Sequence, residues 1–301
     1  WANPNTVLVL LNAGPLAIEW EAAHVPAIVE AYFPGEFGGD AVAAVLMGDV
    51  SPSGRLPVTV YPAEYIQRNM TDYDLASGNG TTHLYYKGTP LWNFGFGMHY
   101  TTFAFGLQYT DDELGPASDS DPAAVPADFS TAGVVDGSET IAYNVVVTNT
   151  GVSSSAVSVV ALLSSEHPDS TTNEKLADFA KTPILQPGES TVVSLEVTKV
   201  RRLAILPLVS ADATDTKRRR LLQTHVETWL TRFAQERLAL IDELGDERIA
   251  PGAYQLRLGG SGSGSTRDND FVRTSFVLRG EEIYMWRLSE ARGRWQASLA
   301  Q

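Results

Sequence analysis

Carboxylates, histidines and serines are the residues of this chain that could do chemistry, and their spacing argues against most of it. Glu36, Asp40 and Asp49 lie in the glycine-rich stretch from Phe33 to Pro62, where a carboxylate could serve as a general acid or base. Glu36 sits inside Pro34-Gly35-Glu36-Phe37-Gly38-Gly39 and reads as turn structure or a cap. Asp40 falls in the first turn of an expected helix, where the helix dipole favours negative charge, and Asp49 falls at that helix's exit. The five histidines, His24, His83, His99, His167 and His225, are scattered without metal-ligand spacing. Ser51 and Ser53 have no partnered base to activate a nucleophile. The residues therefore assign no catalytic, cofactor-binding or metal site. Arg55 reads as a guanidinium fork that fixes loop carbonyls or a carboxylate. Asn69-Met70-Thr71 and Asn79-Gly80-Thr81 are N-glycosylation acceptors, which makes Asn69 and Asn79 candidate modification sites.

The elements that would carry these residues begin with an apolar run, Val7 to Leu11, closed by Asn12-Ala13-Gly14-Pro15. It suits a parallel strand covered on both faces. A short helical piece is expected from Trp20 to Ala23, a second buried strand from Pro26 to Phe33, and a helix from Gly39 to Met47. Two parallel strands make no stable sheet alone, so this part reads as the end of a larger α/β layer. The chain opens at Trp1 with no initiator Met and no basic leader segment, and is expected to have lost its natural beginning. From Val50 to Tyr109 it is rich in Pro, Gly, Tyr and Asn, as befits an irregular segment laid over a surface and anchored by its aromatics.

Asp111 to Asp128 is acidic and rich in Ala, Pro and Ser, the composition of a linker or solvated loop. Alternating runs follow, at Ile141 to Val147, Val157 to Leu163, Ser190 to Thr198, Gly252 to Leu258 and Phe271 to Leu278. Short strands separated by turns predict a β-sandwich. Between them, Lys199 to Arg237 holds nine of the 22 basic residues and reads as an insertion. Its favoured origin is a translated retained intron covering Val209 to Gln235.

With 301 residues, 44% of them hydrophobic, the chain can bury two cores of the usual ~100–200-residue domain size. The net charge of -14 opposes a nucleic-acid partner, which needs a basic face. No apolar run reaches the ~18–20 residues of a membrane span. With no cysteine, neither disulfides nor thiolate metal sites arise.

Asn3-Pro4-Asn5-Thr6, Asn12-Ala13-Gly14-Pro15, the turn at 34–39 and Gly48-Asp49-Val50-Ser51-Pro52-Ser53-Gly54-Arg55-Leu56-Pro57-Val58-Thr59 together resemble the C-terminal α/β sandwich of family 3 glycoside hydrolases. Phe94-Gly95-Phe96-Gly97-Met98-His99-Tyr100-Thr101-Thr102-Phe103 is similar to the segment that closes that domain. Tyr61-Pro62-Ala63 and Met70-Thr71-Asp72 look most like the β-xylosidase branch, with β-glucosidases the nearest competitors. Leu185-Gln186-Pro187-Gly188-Glu189-Ser190 and Pro251-Gly252-Ala253-Tyr254 are similar to turns of the fibronectin type III-like domain that follows in these enzymes.

The resemblance implies an α/β plus all-β chain: residues 1–110 the C-terminal remnant of an α/β/α sandwich with its closing segment, 111–127 an acidic linker, 128–288 a fibronectin type III-like β-sandwich interrupted at about 201–237, and 289–301 a tail. It implies a secreted, extracellular, exo-acting enzyme of the xylan 1,4-β-xylosidase type, acting on plant cell-wall oligosaccharides without a cofactor. Such enzymes are retaining and use two carboxylates ~5–5.5 Å apart. The family places its Asp nucleophile on an N-terminal barrel and its xylosidase acid/base Glu upstream of the strand at Val7. Neither motif is in this sequence, so the chain is expected to be an inactive fragment. A non-catalytic carbohydrate-binding or interaction module, a β-glucosidase-like parent and the product of a defective gene model are the competing readings. Leu84 stands in Thr82-His83-Leu84-Tyr85-Tyr86 where the family carries Arg, which puts in doubt a polar contact of this segment.

Overall fold

The structure is a computed structural model and describes residues 3–108, 127–130, 141–168, 170–197, 240–241, 247–260 and 271–286. The basic insertion at 201–237, the acidic stretch at 111–126 and the tail at 289–301 lie outside the described residues.

Strand β1 (Val7–Leu10) leads through helix α1 (Glu19–His24) into strand β2 (Ala27–Glu30), and the two strands pair in parallel from Val7 opposite Ala27 to Leu10 opposite Glu30. A parallel pair needs a crossover, and α1 supplies it. Helix α2 (Gly38–Met47) starts beyond Gly35, whose φ of 77° suits glycine, and carries Asp40 in its first turn. It ends at Gly48, whose φ of 83° and N–H bond to the Val45 carbonyl close the last turn. The expected elements are all present, but the burial expected of them is not. No residue of β1 or β2 is buried, and Phe33, Phe37 and Met47 are each more than two-thirds exposed. Apolar runs suited to cover on two faces meet, among the described residues, too few elements to cover them.

Residues 50–102 form a long out-and-back segment that contains helix α3 (Thr82–Tyr85). Its limbs bond to each other: Leu56 N–H to the Phe96 carbonyl and Gly95 N–H to the Leu56 carbonyl, both 2.8 Å, and Val60 N–H to the Trp92 carbonyl at 2.9 Å. Tyr61 and Tyr65 stack with ring centroids 3.8 Å apart, and Tyr86 meets both edge-on. Thr82, a β-branched residue at φ 58°, occupies a region such residues rarely enter. The Tyr61 hydroxyl holds it there by accepting its N–H at 2.7 Å.

The β-sandwich begins earlier than the sequence suggests. Strand β3 (Phe103–Gln108), assigned from sequence to the closing segment, pairs antiparallel with β5 (Ala142–Asn149) and so belongs to the sandwich. Strand β4 (Ala127–Ser130) lies at residues expected to leave the linker. The remaining strands are β6 (Ser158–Ser165), β7 (Lys175–Lys181), β8 (Ser190–Glu196), β9 (Leu240–Ile241), β10 (Glu247–Ile249), β11 (Gly252–Gly259), β12 (Phe271–Arg279) and β13 (Ile283–Trp286). One sheet runs β4-β12-β11-β6-β7, the facing sheet β3-β5-β8, and a small sheet β13-β10-β9 adjoins them.

Alternation sets the core: Val145 and Val147 from β5, Val159, Ala161 and Leu163 from β6, Leu256 and Leu258 from β11, and Phe276 and Leu278 from β12 converge. Strand β6 departs from this pattern, because Val160 and Leu162, on its other face, are buried too. The closing segment docks on that outer face, through Arg55 and Ser53 to Ser158, which makes β6 one contact between the two halves.

Candidate functional site

Ligand-binding groups in parallel α/β sheets gather at the carboxyl ends of the strands, and a cluster sits there. Asn12 follows β1 and Glu30 ends β2. The Asn12 amide donates to the Gly14 carbonyl at 2.6 Å and to Glu30 Oε2 at 3.3 Å, while the Tyr32 N–H donates to Glu30 Oε1 at 3.1 Å. Tyr32 adopts φ 47°, a strained conformation for a bulky residue of the sort concentrated at functional sites. Burial first, and the Glu30 carboxylate second, push the Tyr32 phenol up from 10.0. Asn12 Oδ1 is buried and without a partner among the described residues. Each Glu30 oxygen accepts one bond, so the carboxylate is oriented. Hydrolysis with retention needs two carboxylates, and the partners of Glu30 among the described residues are the Asn12 amide and the Tyr32 N–H. Asn12 and Glu30 are 18 residues apart, too far for sequence reading to pair them. The one signal available is a carboxylate directly after an apolar run.

Arg55 does what its position suggested. Its Nη1 donates to the Gly97 carbonyl at 2.9 Å, its Nε to the Ser158 carbonyl at 3.3 Å, and its Nη2 meets His99 Nε2 at 3.1 Å. His99 Nδ1 lies 2.7 Å from the Pro52 carbonyl, which only accepts. Nδ1 therefore carries the proton, and Nε2 accepts from Arg55. Ser158 adds a bond in the other direction, its hydroxyl donating to the Ser53 carbonyl at 3.0 Å. One side chain thus ties both limbs of the closing segment to β6.

A second tie sits at Leu84, a position whose apolar side chain offers no polar group of its own. Asn173 N–H donates to the Leu84 carbonyl at 2.7 Å, and its amide donates to the Tyr86 carbonyl at 2.9 Å. The sandwich therefore grips this segment by its backbone. A third tie is Asn149, fully buried. Its amide donates to the Ser153 and Leu185 carbonyls, both 2.9 Å, and its Oδ1 accepts from the Thr101 hydroxyl at 2.7 Å and the Gly151 N–H at 3.1 Å.

The other residues considered from sequence are dispersed. Glu36 is exposed in its turn, and Asp49 is exposed beyond α2. The Ser51 hydroxyl accepts the Tyr100 N–H. His24 stacks on Trp20 and its Nδ1 lies 2.6 Å from that residue's carbonyl. His83 stacks on Phe94 with centroids 4.1 Å apart, and burial lowers its pKa from 6.5. His225 lies outside the described residues. Asn69 and Asn79 are both exposed, in a loop organised by Arg68, which donates to the Ser77 and Asp74 carbonyls at 3.0 and 2.6 Å. The Asn69 Oδ1 accepts from both the N–H and the hydroxyl of Thr71, its own acceptor triplet.

Residues 1–100 match the glycosyl hydrolase family 3 C-terminal domain. The chain carries a C-terminal part of a family 3 glycosyl hydrolase. Within that family it groups with the xylosidase branch. It is 42% identical over 103 residues to beta-D-xylosidase 1 of Arabidopsis thaliana, covering 32% of this chain and 13% of that protein. To the probable exo-1,4-beta-xylosidase xlnD of Neosartorya fischeri it is 34% identical over 270 residues, covering 87% of this chain and 28% of that protein. The family 3 exo-beta-xylosidase XlnD, solved with a xylobiose aziridine activity-based probe, shares its fold. That likeness has a TM-score of 0.66 at 22% identity and covers 94% of this chain and 32% of that one. The chain thus spans between 13% and 28% of the length of these curated family 3 relatives.

Proposed function

We propose that this chain is the supporting, non-catalytic part of a secreted, exo-acting, xylan 1,4-β-xylosidase-like glycoside hydrolase that cuts xylan or arabinoxylan oligosaccharides by a retaining mechanism. The observation that carries this reading is a similarity to an exo-xylosidase that continues from the α/β elements through the sandwich. The arrangement of bonds supports it. The sandwich fixes the closing segment through Arg55, Asn149 and Asn173, and Glu30 is oriented at the strand ends without a second carboxylate among its partners.

On this reading residues 1–110 and 128–288 are the two family modules, the second fibronectin type III-like, with Asn69 and Asn79 glycosylated on the outside. The Tyr254 hydroxyl, donating to the Ala250 carbonyl at 2.9 Å, is of the kind that marks a strand corner in such sandwiches. The test is an assay on aryl β-xyloside, α-arabinofuranoside and β-glucoside. The isolated chain is expected to turn over none of them, and the longer protein that contains it to prefer the xyloside. Turnover by the isolated chain would remove the supporting role, and preference for the glucoside would replace the parent with a β-glucosidase.

A further inference from the structure

His99 stands at the joint between the closing segment and the sandwich with both ring nitrogens engaged. Nδ1 donates to the Pro52 carbonyl at 2.7 Å, and Nε2 accepts from Arg55 Nη2 at 3.1 Å. A neutral imidazole has one donor and one acceptor nitrogen, whereas an imidazolium has two donors and no acceptor. A proton at Nε2 would therefore turn a hydrogen bond into two opposed N–H groups, and would set two positive charges against each other at that distance.

The surroundings leave the pair little room to adjust. Arg55 Nη1 and Nε are given to the Gly97 and Ser158 carbonyls at 2.9 and 3.3 Å. A Cβ at Gly260, just past β11, would lie 2.6 Å from Arg55 Nη2, and one at Gly97 would lie 3.3 Å from its Cδ. Glycine at both places lets the backbone close on the guanidinium. Around the ring, the outgoing limb presents the Arg55 guanidinium and the Pro52 carbonyl, and β3 presents Phe103 edge-on with centroids 5.2 Å apart. Strand β6 and Gly260 reach it through Arg55. Tyr100, next in the chain, turns its hydroxyl to the Val45 carbonyl at 2.7 Å. Of these groups, Arg55 carries the charge that a protonated ring would oppose.

We propose that His99 and Arg55 form an acid-released brace, in which a proton taken from solvent at His99 Nε2 breaks the bond to Arg55 and loosens the closing segment on the sandwich. The brace is complete with the ring neutral and is lost as pH falls through the histidine range, about 6.5. Release weakens the joint without dissolving it. The Ser158 bond to the Ser53 carbonyl, the Tyr100 N–H bond to Ser51 and the ties through Asn149 and Asn173 involve no group that titrates there. The inference goes beyond the xylosidase reading and does not rest on it, because every bond it uses lies within this chain.

The experiment is NMR of the whole chain between about pH 7.5 and about pH 5.5, following the Arg55 Nε–H signal and the His99 ring. The Arg55 signal should move toward that of a solvated guanidinium with the same midpoint as the ring, and should return on neutralisation. Linkage to an opened ring of ordinary basicity raises the released fraction about tenfold over that interval. His99→Gln keeps a donor and an acceptor without titrating, so its Arg55 signal should hold still. His83→Phe should leave the Arg55 response intact. An Arg55 signal that stays fixed while the ring titrates, a midpoint unlike that of the ring, a ring still neutral at about pH 5.5, or an undiminished acid response in His99→Gln would each overturn the proposal. If that variant does not fold, the shared midpoint in the parent decides. No glycoside enters the measurement, so this inference and the xylosidase reading fall separately.

Discussion

Tyr254 lies flat against Phe276 in the centre of the sandwich, ring centroids 5.2 Å apart and planes within 2° of parallel. Burial pushes its phenol up from 10.0 to about 12, outweighing its hydrogen bonds. The fold therefore holds the protonated form. Its contribution is complete below pH 10 and is lost as pH rises from there to about 12, a displacement worth ~3 kcal/mol. Denaturant midpoints should fall over that interval in the parent chain. In Tyr254→Phe the decline should flatten, after a loss of ~1 kcal/mol at neutral pH for the bond to Ala250.

Acid acts on the other half. The His83 ring, stacked on Phe94, is held neutral by burial. Its contribution is complete above pH 6.5 and is lost as pH falls below that value. NMR titration of the ring should give a midpoint under 6.5, and His83→Phe should remove that part of the acid dependence.

Replacing Arg55 should loosen the joint between the halves. Arg55→Lys keeps the charge but cannot reach Gly97, Ser158 and His99 together, since an ammonium lacks the planar fork. A loss of ~1–3 kcal/mol is expected. Limited proteolysis within 50–102 should become faster, together with a lower thermal midpoint.

Asn149→Ala would strip four bonds from one fully buried point. The expected cost is ~3 kcal/mol, beyond the ordinary range of single substitutions at surface sites. Asn149→Asp should be nearly as damaging, because the Ser153 and Leu185 carbonyls would then face an acceptor. Thermal denaturation of the two variants beside Val192→Ser, at an exposed position of β8, checks this.

Glycan attachment is read by mass. Expression in a glycosylating host should add carbohydrate that Asn69→Gln and Asn79→Gln each remove in part. An unchanged mass would leave the two triplets as loop structure only.

Local pattern carries much of the fold. The parallel pair, both its helices and strands β5, β6, β8, β11 and β12 follow from apolar runs bounded by Gly, Pro and Asn. Strand β7 escapes such reading because Lys-Leu-Ala-Asp-Phe-Ala-Lys has no β-branched residue and so lacks the usual strand signal. Strand β3 escapes it because Phe103 and Phe105 continue an aromatic run and Gly106 interrupts it. Burial of the first two strands is overestimated because a run of Val and Leu states what a strand could bury, while its neighbours decide what it does bury. The contact between Asn12 and Glu30 depends on strand register. A cleft brings residues 59–94 against residues 162–174, a separation no local pattern encodes.

Strand β6 takes cover on both sides, from the opposite sheet at Val159, Ala161 and Leu163 and from the returning loop at Val160 and Leu162. Neither half can release its side of the strand without uncovering the other's. Melting is therefore shared: the closing segment and the sandwich should exchange amide hydrogens and unfold as one cooperative unit. The boundary drawn between them in sequence is then a shared seam and no hinge.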